Sequence, residues 1–221
     1  MSEWWTYSLS DFLLFSPRTY YRLFELYNAA LWPAHLLAAV AGLAILACML
    51  RGGRGWRAAC VLLGACWLWV GWVFLLDRYA TINWAAAWFA GLFVVQAILL
   101  VLTGAAAGSS GEMSRSRGAA AITLLVFALA VYPSIGIAVG RPWTQAEVFA
   151  MAPDPTALGT LGFALLAPTA GRRWLLLAIP LLWCAISGAT LWTMEAPEAP
   201  VLPAAGLVAL IVAASRRQGA A

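Results

Sequence analysis

This sequence predicts an all-α integral membrane protein: a seven-helix transmembrane bundle preceded by an N-terminal amphipathic interfacial helix. Three observations carry that prediction. Of 221 residues, 64% are hydrophobic and 10% charged, and the mean hydropathy is +0.86. Soluble domains carry about 25% charged residues, and a soluble fold of this size has no way to hide so much apolar surface. The apolar residues fall in long runs that are greasy on every face, unlike the ~10-residue alternation of barrel strands. A helix in lipid satisfies its backbone within its own segment. Finally, arginine and acid separate onto opposite ends of those runs. Composition excludes a disordered chain, and four cysteines exclude a disulfide scaffold.

Residues 1–31 are too polar to span. Ser16-Pro17 opens a helix, with Ser as N-cap and Pro in the first turn. Tyr20, Leu23, Phe24, Tyr27 and Leu31 then recur at helical spacing, while Arg18, Arg22 and Glu25 take the other face. The segment reads as an amphipathic helix in the outer interface, either an anchor held by Tyr and Trp or a lid over an outward-facing pocket. Crossing ~30 Å of hydrocarbon takes about 20 apolar residues, within a range of roughly 17 to 25. Five runs qualify: 32–50, 58–76, 84–102, 118–140 and 174–192. Two shorter ones, 156–170 and 201–215, are either short upright spans or partly re-entrant segments. Together they make a seven-span domain over residues 32–215, followed by a tail of 216–221. Tyr132-Pro133 and Pro180 are expected to kink the fourth and sixth spans.

Charge supports the count of seven independently. Arg51, Arg54 and Arg57 follow the first span, Arg115 and Arg117 the third, Arg172 and Arg173 the fifth, and Arg216 and Arg217 the seventh. These nine arginines share their side with one acid, Glu112, whereas the other side holds four arginines and eight acids. Positive loops stay in the cytoplasm, so the N-terminus is predicted to be extracytoplasmic and the C-terminus cytoplasmic. The net charge of +4 then reflects topology and not nucleic-acid binding. Ser2-Glu3-Trp4-Trp5 lacks the basic start and apolar core of a cleavable signal, so the first span directs insertion. The loop 103–117 is a Gly/Ser/Ala linker. The loop 141–155 carries Pro142, Trp143, Glu147, Phe149, Pro153, Asp154 and Pro155, and is expected to fold back onto the outer face.

Several chemistries are excluded. All thirteen basic residues are arginine, so no lysine serves a Schiff base or a P-loop. One histidine cannot build a multi-histidine metal or haem site. Neither cofactor nor metal is expected. Polar groups at membrane depth are functional candidates by default. His35 sits about one turn inside the first span and either gates protons or hydrogen-bonds across helices. Gln96, deeper in the third span, lines a path or bonds a neighbouring helix. Asn28, Asn83, Tyr132 and Asp154 map to the outer half, and with His35 they form the candidate ligand-binding set. Cys48, Cys60, Cys66 and Cys184 make no Cys-x-x-Cys and read as small apolar residues. Trp4, Trp5, Trp32, Trp72, Trp84, Trp143 and Trp192 form an outer aromatic belt, and the deeper Trp67, Trp69, Trp88 and Trp183 are expected to pack the core.

Short motifs occur in order along the chain: Tyr27-Asn28 with Trp32-Pro33, Ile82-Asn83, Tyr132-Pro133-Ser134-Ile135-Gly136, and Ala152-Pro153-Asp154-Pro155-Thr156 leading into Gly159-Thr160-Leu161-Gly162. Over residues 15–212 this pattern resembles a bacterial multi-pass membrane family known as domain of unknown function 6064. The resemblance implies a bacterial plasma membrane protein, sometimes labelled a permease, and brings no established activity. Family members often carry cysteine between the two prolines, where this chain has Asp154, so a thiol role there is missing.

The functional expectation is a protein that binds or translocates a small solute through an outward-facing polar and aromatic pocket, surrounded by membrane lipids. The alternative is a non-transporting subunit or assembly factor that meets itself or another membrane protein through small residues such as Gly42, Gly91 or Gly188. An enzyme is not expected, because no nucleophile–base pair is evident and His35 would stand alone as base.

Overall fold

The computed structural model describes residues 15–51, 53, 55–106 and 115–215. Trp4, Trp5, Arg54, Glu112, Arg216 and Arg217 lie outside the described residues. Ser16 caps α1 (Pro17–Leu31) by accepting the Thr19 N–H at 3.2 Å. The apolar stripe of α1 buries Tyr20, Phe24 and Tyr27 against protein, with Phe24 stacked on Phe74 at 4.8 Å. Arg18, Arg22 and Leu26 remain exposed. The helix therefore covers one end of the bundle. At Trp32-Pro33 the chain turns by 94° into α2 (Ala34–Leu50).

Three further long helical stretches follow. α3 (Trp56–Trp69) runs into a π-helical stretch, Val70–Leu76, and a short 3-10 turn, Tyr79–Thr81, leads to α4 (Ala86–Ala105). α5 (Arg115–Val126) passes through a second π-helical stretch, Phe127–Val131, into α6 (Tyr132–Ala138). That π stretch absorbs Pro133, which has no N–H to give, and the Ser134 hydroxyl donates to the Ala130 carbonyl at 3.1 Å. α7 (Pro153–Leu165), α8 (Ala170–Thr193) and α9 (Val201–Ala214) complete the bundle.

Among the described residues, four helices are long and apolar enough to cross a membrane, and the bent α1–α2 pair makes a fifth if it counts as one span. The two runs read from sequence as short upright spans or re-entrant segments do form helices, and both are short. α7 and α9 have 13 and 14 residues, about 20 Å each at 1.5 Å per residue, which is well short of ~30 Å of hydrocarbon. α7 differs in kind as well as length. All of its residues are buried, and α5, α8 and α9 pack around it. A helix that is apolar on every side belongs in a core as readily as in lipid, and hydropathy cannot separate the two.

The outer surface is apolar. Trp32, Trp72, Trp84, Trp143 and Trp192 are each at least 63% exposed. Of the deeper tryptophans, Trp67 and Trp183 are buried, whereas Trp69 and Trp88 face outward. Their neighbours Leu68 and Val94 are exposed too, so these two cover an apolar exterior and not a core. Cys60, Cys66 and Cys184 are buried as free thiols, and Cys48 partly so. Helix contacts are close. A Cβ on Gly162 would lie 2.5 Å from the Ala121 carbonyl oxygen, which is how tightly α7 meets α5.

Gln96 shows how one polar side chain serves the backbone. Pro180 inside α8 has no N–H for the Leu176 carbonyl four residues earlier. Gln96 Nε2 on α4 donates to that carbonyl at 3.1 Å. The expected bond to a neighbouring helix thus exists, and it repairs a proline defect.

A buried carboxylate cluster at one end of the bundle

Gly140, with φ 89°, lets the chain leave α6 in the left-handed region, where glycine carries no Cβ penalty. The chain then folds back as a loop whose residues Glu147 and Phe149 to Ala152 are buried. This matches the expectation for residues 141–155. Ala150, at φ 63°, is held in place by its N–H bond to Thr156 Oγ1 at 2.9 Å. Tyr27 Oη fixes the same loop by donating to the Met151 carbonyl at 3.0 Å.

The loop delivers Arg141 and Glu147 to the top of the bundle, and the α8–α9 turn delivers Glu198. The Arg141 guanidinium lies 3.9 Å from the centre of the Tyr21 ring and pairs through Nη2 with Glu198. Tyr21 Oη donates to Glu198 Oε1 at 2.9 Å. Four polar atoms there are buried without a partner: Arg141 Nε and Nη1, Glu147 Oε2 and Glu198 Oε2. Their residues, with Tyr132 and Gln145, line a cleft of ≈ 10 Å³, room for about one water molecule. Burial is the main force pushing the Glu147 carboxyl well above the ordinary range. The neighbouring charge of Asp154 pushes the same way, and Arg141 opposes it. Glu147 therefore favours its protonated form.

Asp154 lies directly beneath, in the first turn of α7, and is wholly buried. It accepts three hydrogen bonds: Trp183 Nε1 to Oδ1 at 2.7 Å, and Tyr132 Oη and Ser187 Oγ to Oδ2 at 2.8 and 2.7 Å. Trp183 and Ser187 share a face of α8 at i, i+4, so one carboxylate joins α6, α7 and α8. The positive end of the α7 macrodipole suits an acid at this position. Below it, Thr160 Oγ1 donates to the Thr156 carbonyl and accepts Trp67 Nε1 at 2.8 Å, continuing the polar line into the core.

The five residues singled out from sequence separate into three places. Tyr132 and Asp154 bond to each other at the cleft. Asn28 and His35 form their own pair, His35 Nε2 to Asn28 Oδ1 at 3.1 Å, across the α1–α2 bend. Asn28 Nδ2 also donates to the Thr144 and Ala146 carbonyls, so it buttresses the loop from behind the cleft. Since Asn28 Oδ1 accepts, the His35 proton belongs on Nε2. Asn83 stands apart in the α3–α4 turn, where Oδ1 accepts the Ala85 N–H at 3.0 Å. Sequence reasoning passed over Arg141, Glu147 and Glu198 as loop charges, Trp183 as core and Ser187 altogether. The one available signal was the bulky apolar content around Glu147, which marks a loop that buries what it carries. Among the described residues no group of His, Cys, Asp and Glu is arranged to hold a metal ion.

A family model described as "Family of unknown function (DUF6064)" matches residues 18–220. The chain belongs to that family. No curated protein and no solved structure matches it. The match takes in every element of the cleft in this DUF6064 chain, from Tyr21 on α1 to Glu198 before α9.

Proposed function

We propose that this DUF6064 chain is a non-enzymatic multi-pass protein of the bacterial plasma membrane. In this reading it crosses seven times, with an extracytoplasmic N-terminus, and binds a small cationic solute in its outer carboxylate cluster. Hydrogen bonds at the two ends of the bundle support the seven crossings. Arg141, Glu147, Asp154 and Glu198 gather at one end, whereas Arg172 bonds Ala106 and Arg117 bonds Ser215 at the other. This grouping agrees with the sidedness of the sequence charges. α7 and α9 then cross as short helices, α7 enclosed by its neighbours.

One observation carries the solute reading. Glu147 and Glu198 each leave a buried carboxylate oxygen unpartnered on the same water-sized cleft. Two carboxyl groups line this cleft with one guanidinium, and the charge of Asp154 bears on Glu147 from nearby, so an entering cation is favoured and a proton on Glu147 occupies the empty site. The test adds sodium, potassium, ammonium or methylammonium chloride to the purified protein and follows a pH indicator. Binding releases a proton in wild type and in Asp77→Asn, which alters an exposed acid, but not in Glu147→Gln. If no salt in that panel releases protons, the reading is wrong.

The reading as a non-transporting subunit draws on a different observation. An open apolar groove of ≈ 500 Å³ between α8 and α9 is lined by Gly188, Ala189, Trp192, Pro203 and Leu207. A Cβ added to Gly91 would meet nothing within 4 Å, whereas Leu129 fills the space beside Gly42 and Pro203 the space beside Gly188. A stoichiometric membrane partner or second copy lost on Leu207→Ala, which changes an exposed groove residue, would favour this alternative.

A further inference from the structure

At the end opposite the cleft, two arginines from different helices meet on one helix terminus. Arg117 of α5 donates through Nη2 to the Ser215 carbonyl at 2.8 Å, and Arg173 of α8 donates through Nη1 to the Ala213 carbonyl at 3.3 Å. The two guanidiniums are close enough for the charge of Arg117 to bear on Arg173. Capping explains part of this. The last carbonyls of α9 lack helical partners, and a helix C-terminus carries about half a negative charge. Half a charge does not balance two guanidiniums. Arg173 is only 7% exposed, and Nε of both residues is buried without a partner. Both ion pairs among the described residues, Arg22–Glu25 and Arg141–Glu198, lie at the other end. Arg117 is half-exposed, so the pair opens toward the surface, where a buried guanidinium beside a second one calls for an anion.

We propose that Arg117 and Arg173 bind the phosphate of an anionic membrane lipid. Guanidinium forks match phosphate oxygens, and basic pockets between helices at a cytoplasmic membrane face suit lipid headgroups. The surroundings favour lipid over free phosphate. Trp174 and Leu175, next to Arg173, and Ile211, within a turn of the α9 carbonyls the arginines bond, are 42%, 45% and 61% exposed, and they offer acyl chains an apolar flank that inorganic phosphate would not use. The proposal rests on the chain residing in a bilayer, but not on the carboxylate cluster.

Partition of the full chain into the membrane fraction tests the bilayer reading first. Delipidated protein in neutral detergent is then titrated with phosphatidylglycerol or phosphatidylcholine, reading bound lipid by native mass spectrometry and stability by melting. About one phosphatidylglycerol per chain is expected to bind saturably and raise the melting temperature, with phosphatidylcholine doing neither. Arg117→Gln/Arg173→Gln should weaken phosphatidylglycerol binding about tenfold or more, equivalent to at least ~1.4 kcal/mol. Arg51→Gln/Arg57→Gln removes the same charge from exposed positions and should leave binding within about twofold. Equal loss in both variants, equal binding of phosphatidylcholine, or the whole melting shift from inorganic phosphate alone would each overturn the proposal. If the double variant fails to fold, the wild-type lipid comparison decides alone, and no preference for phosphatidylglycerol ends it.

Discussion

Asp154→Ala isolates the role of the buried carboxylate. The substitution removes the acceptor for Trp183, Tyr132 and Ser187 together and strands three donors in a wholly buried place. A hydrogen bond to a charged group contributes about 1.5–3 kcal/mol in water-soluble proteins, and interhelical bonds in membranes average nearer ~0.6, with a maximum of about 1.7. Taking an intermediate value and allowing for non-additivity, the loss is about 4 kcal/mol. For a chain of this size that corresponds to a fall in melting temperature of roughly 8–16 °C. Asp154→Asn should behave differently. Trp183 can only donate, so the amide oxygen stays at the Oδ1 position and the amide nitrogen falls at Oδ2. There the Tyr132 and Ser187 hydroxyls can rotate to accept. Every contact survives, and less than half of the alanine effect is expected. The assay is thermal unfolding in detergent with a thiol-reactive dye, since Cys60, Cys66 and Cys184 are buried until the bundle opens. An alanine variant melting within about 2 °C of wild type would refute the three-helix clamp. An asparagine variant as weak as alanine would show that charge, and not hydrogen-bond geometry, holds the helices.

Other expectations follow from the same packing. Folded Glu147 retains a proton that the unfolded chain has released above its ordinary pKa of 4.5. Stability therefore falls as pH rises from that value toward the raised folded one, and Glu147→Gln should flatten the melting-temperature profile above that value. Gln96→Leu should cost about 1 kcal/mol. In a Pro180→Ala background it should cost less, because the restored N–H serves Leu176, and a double-mutant cycle measures that coupling. Gly162→Ala, facing the Ala121 carbonyl at 2.5 Å, should destabilise by about 1–3 kcal/mol. Gly91→Ala, in open space, should be neutral or stabilising by up to ~1 kcal/mol in the same melting assay.

Helical character, the order of the elements and the Ser16 cap were all readable from the sequence, because apolar run length and Ser-Pro placement act locally. The rank of each helix was not. α7 reads as an apolar run like the outward-facing ones, though Asp154, Thr156 and Thr160 make it less so, and only packing reveals that it has no exposed side. The candidate site was partly readable. Asp154 drew attention as an acid between prolines, yet its partners Trp183 and Ser187 lie about 30 residues away on another helix. The alternative of a bond across helices for His35 is the one the structure shows, but its partner Asn28 lies across a bend whose 94° angle has no sequence signature. Arg141 and Glu198 looked like ordinary loop charges because burial of a loop is a tertiary property.

The enclosure of α7 also bears on how the protein is made. A 13-residue segment with an acid in its first turn is a poor stop for the insertion machinery, which favours about 20 apolar residues and penalises a carboxylate. It has no stable lodging in lipid until companions arrive. Synthesis reaches α8 only after α7 has emerged, and Trp183 and Ser187, which satisfy Asp154, come with it. In the proposed seven-crossing topology, α7 enters together with α8 as a hairpin.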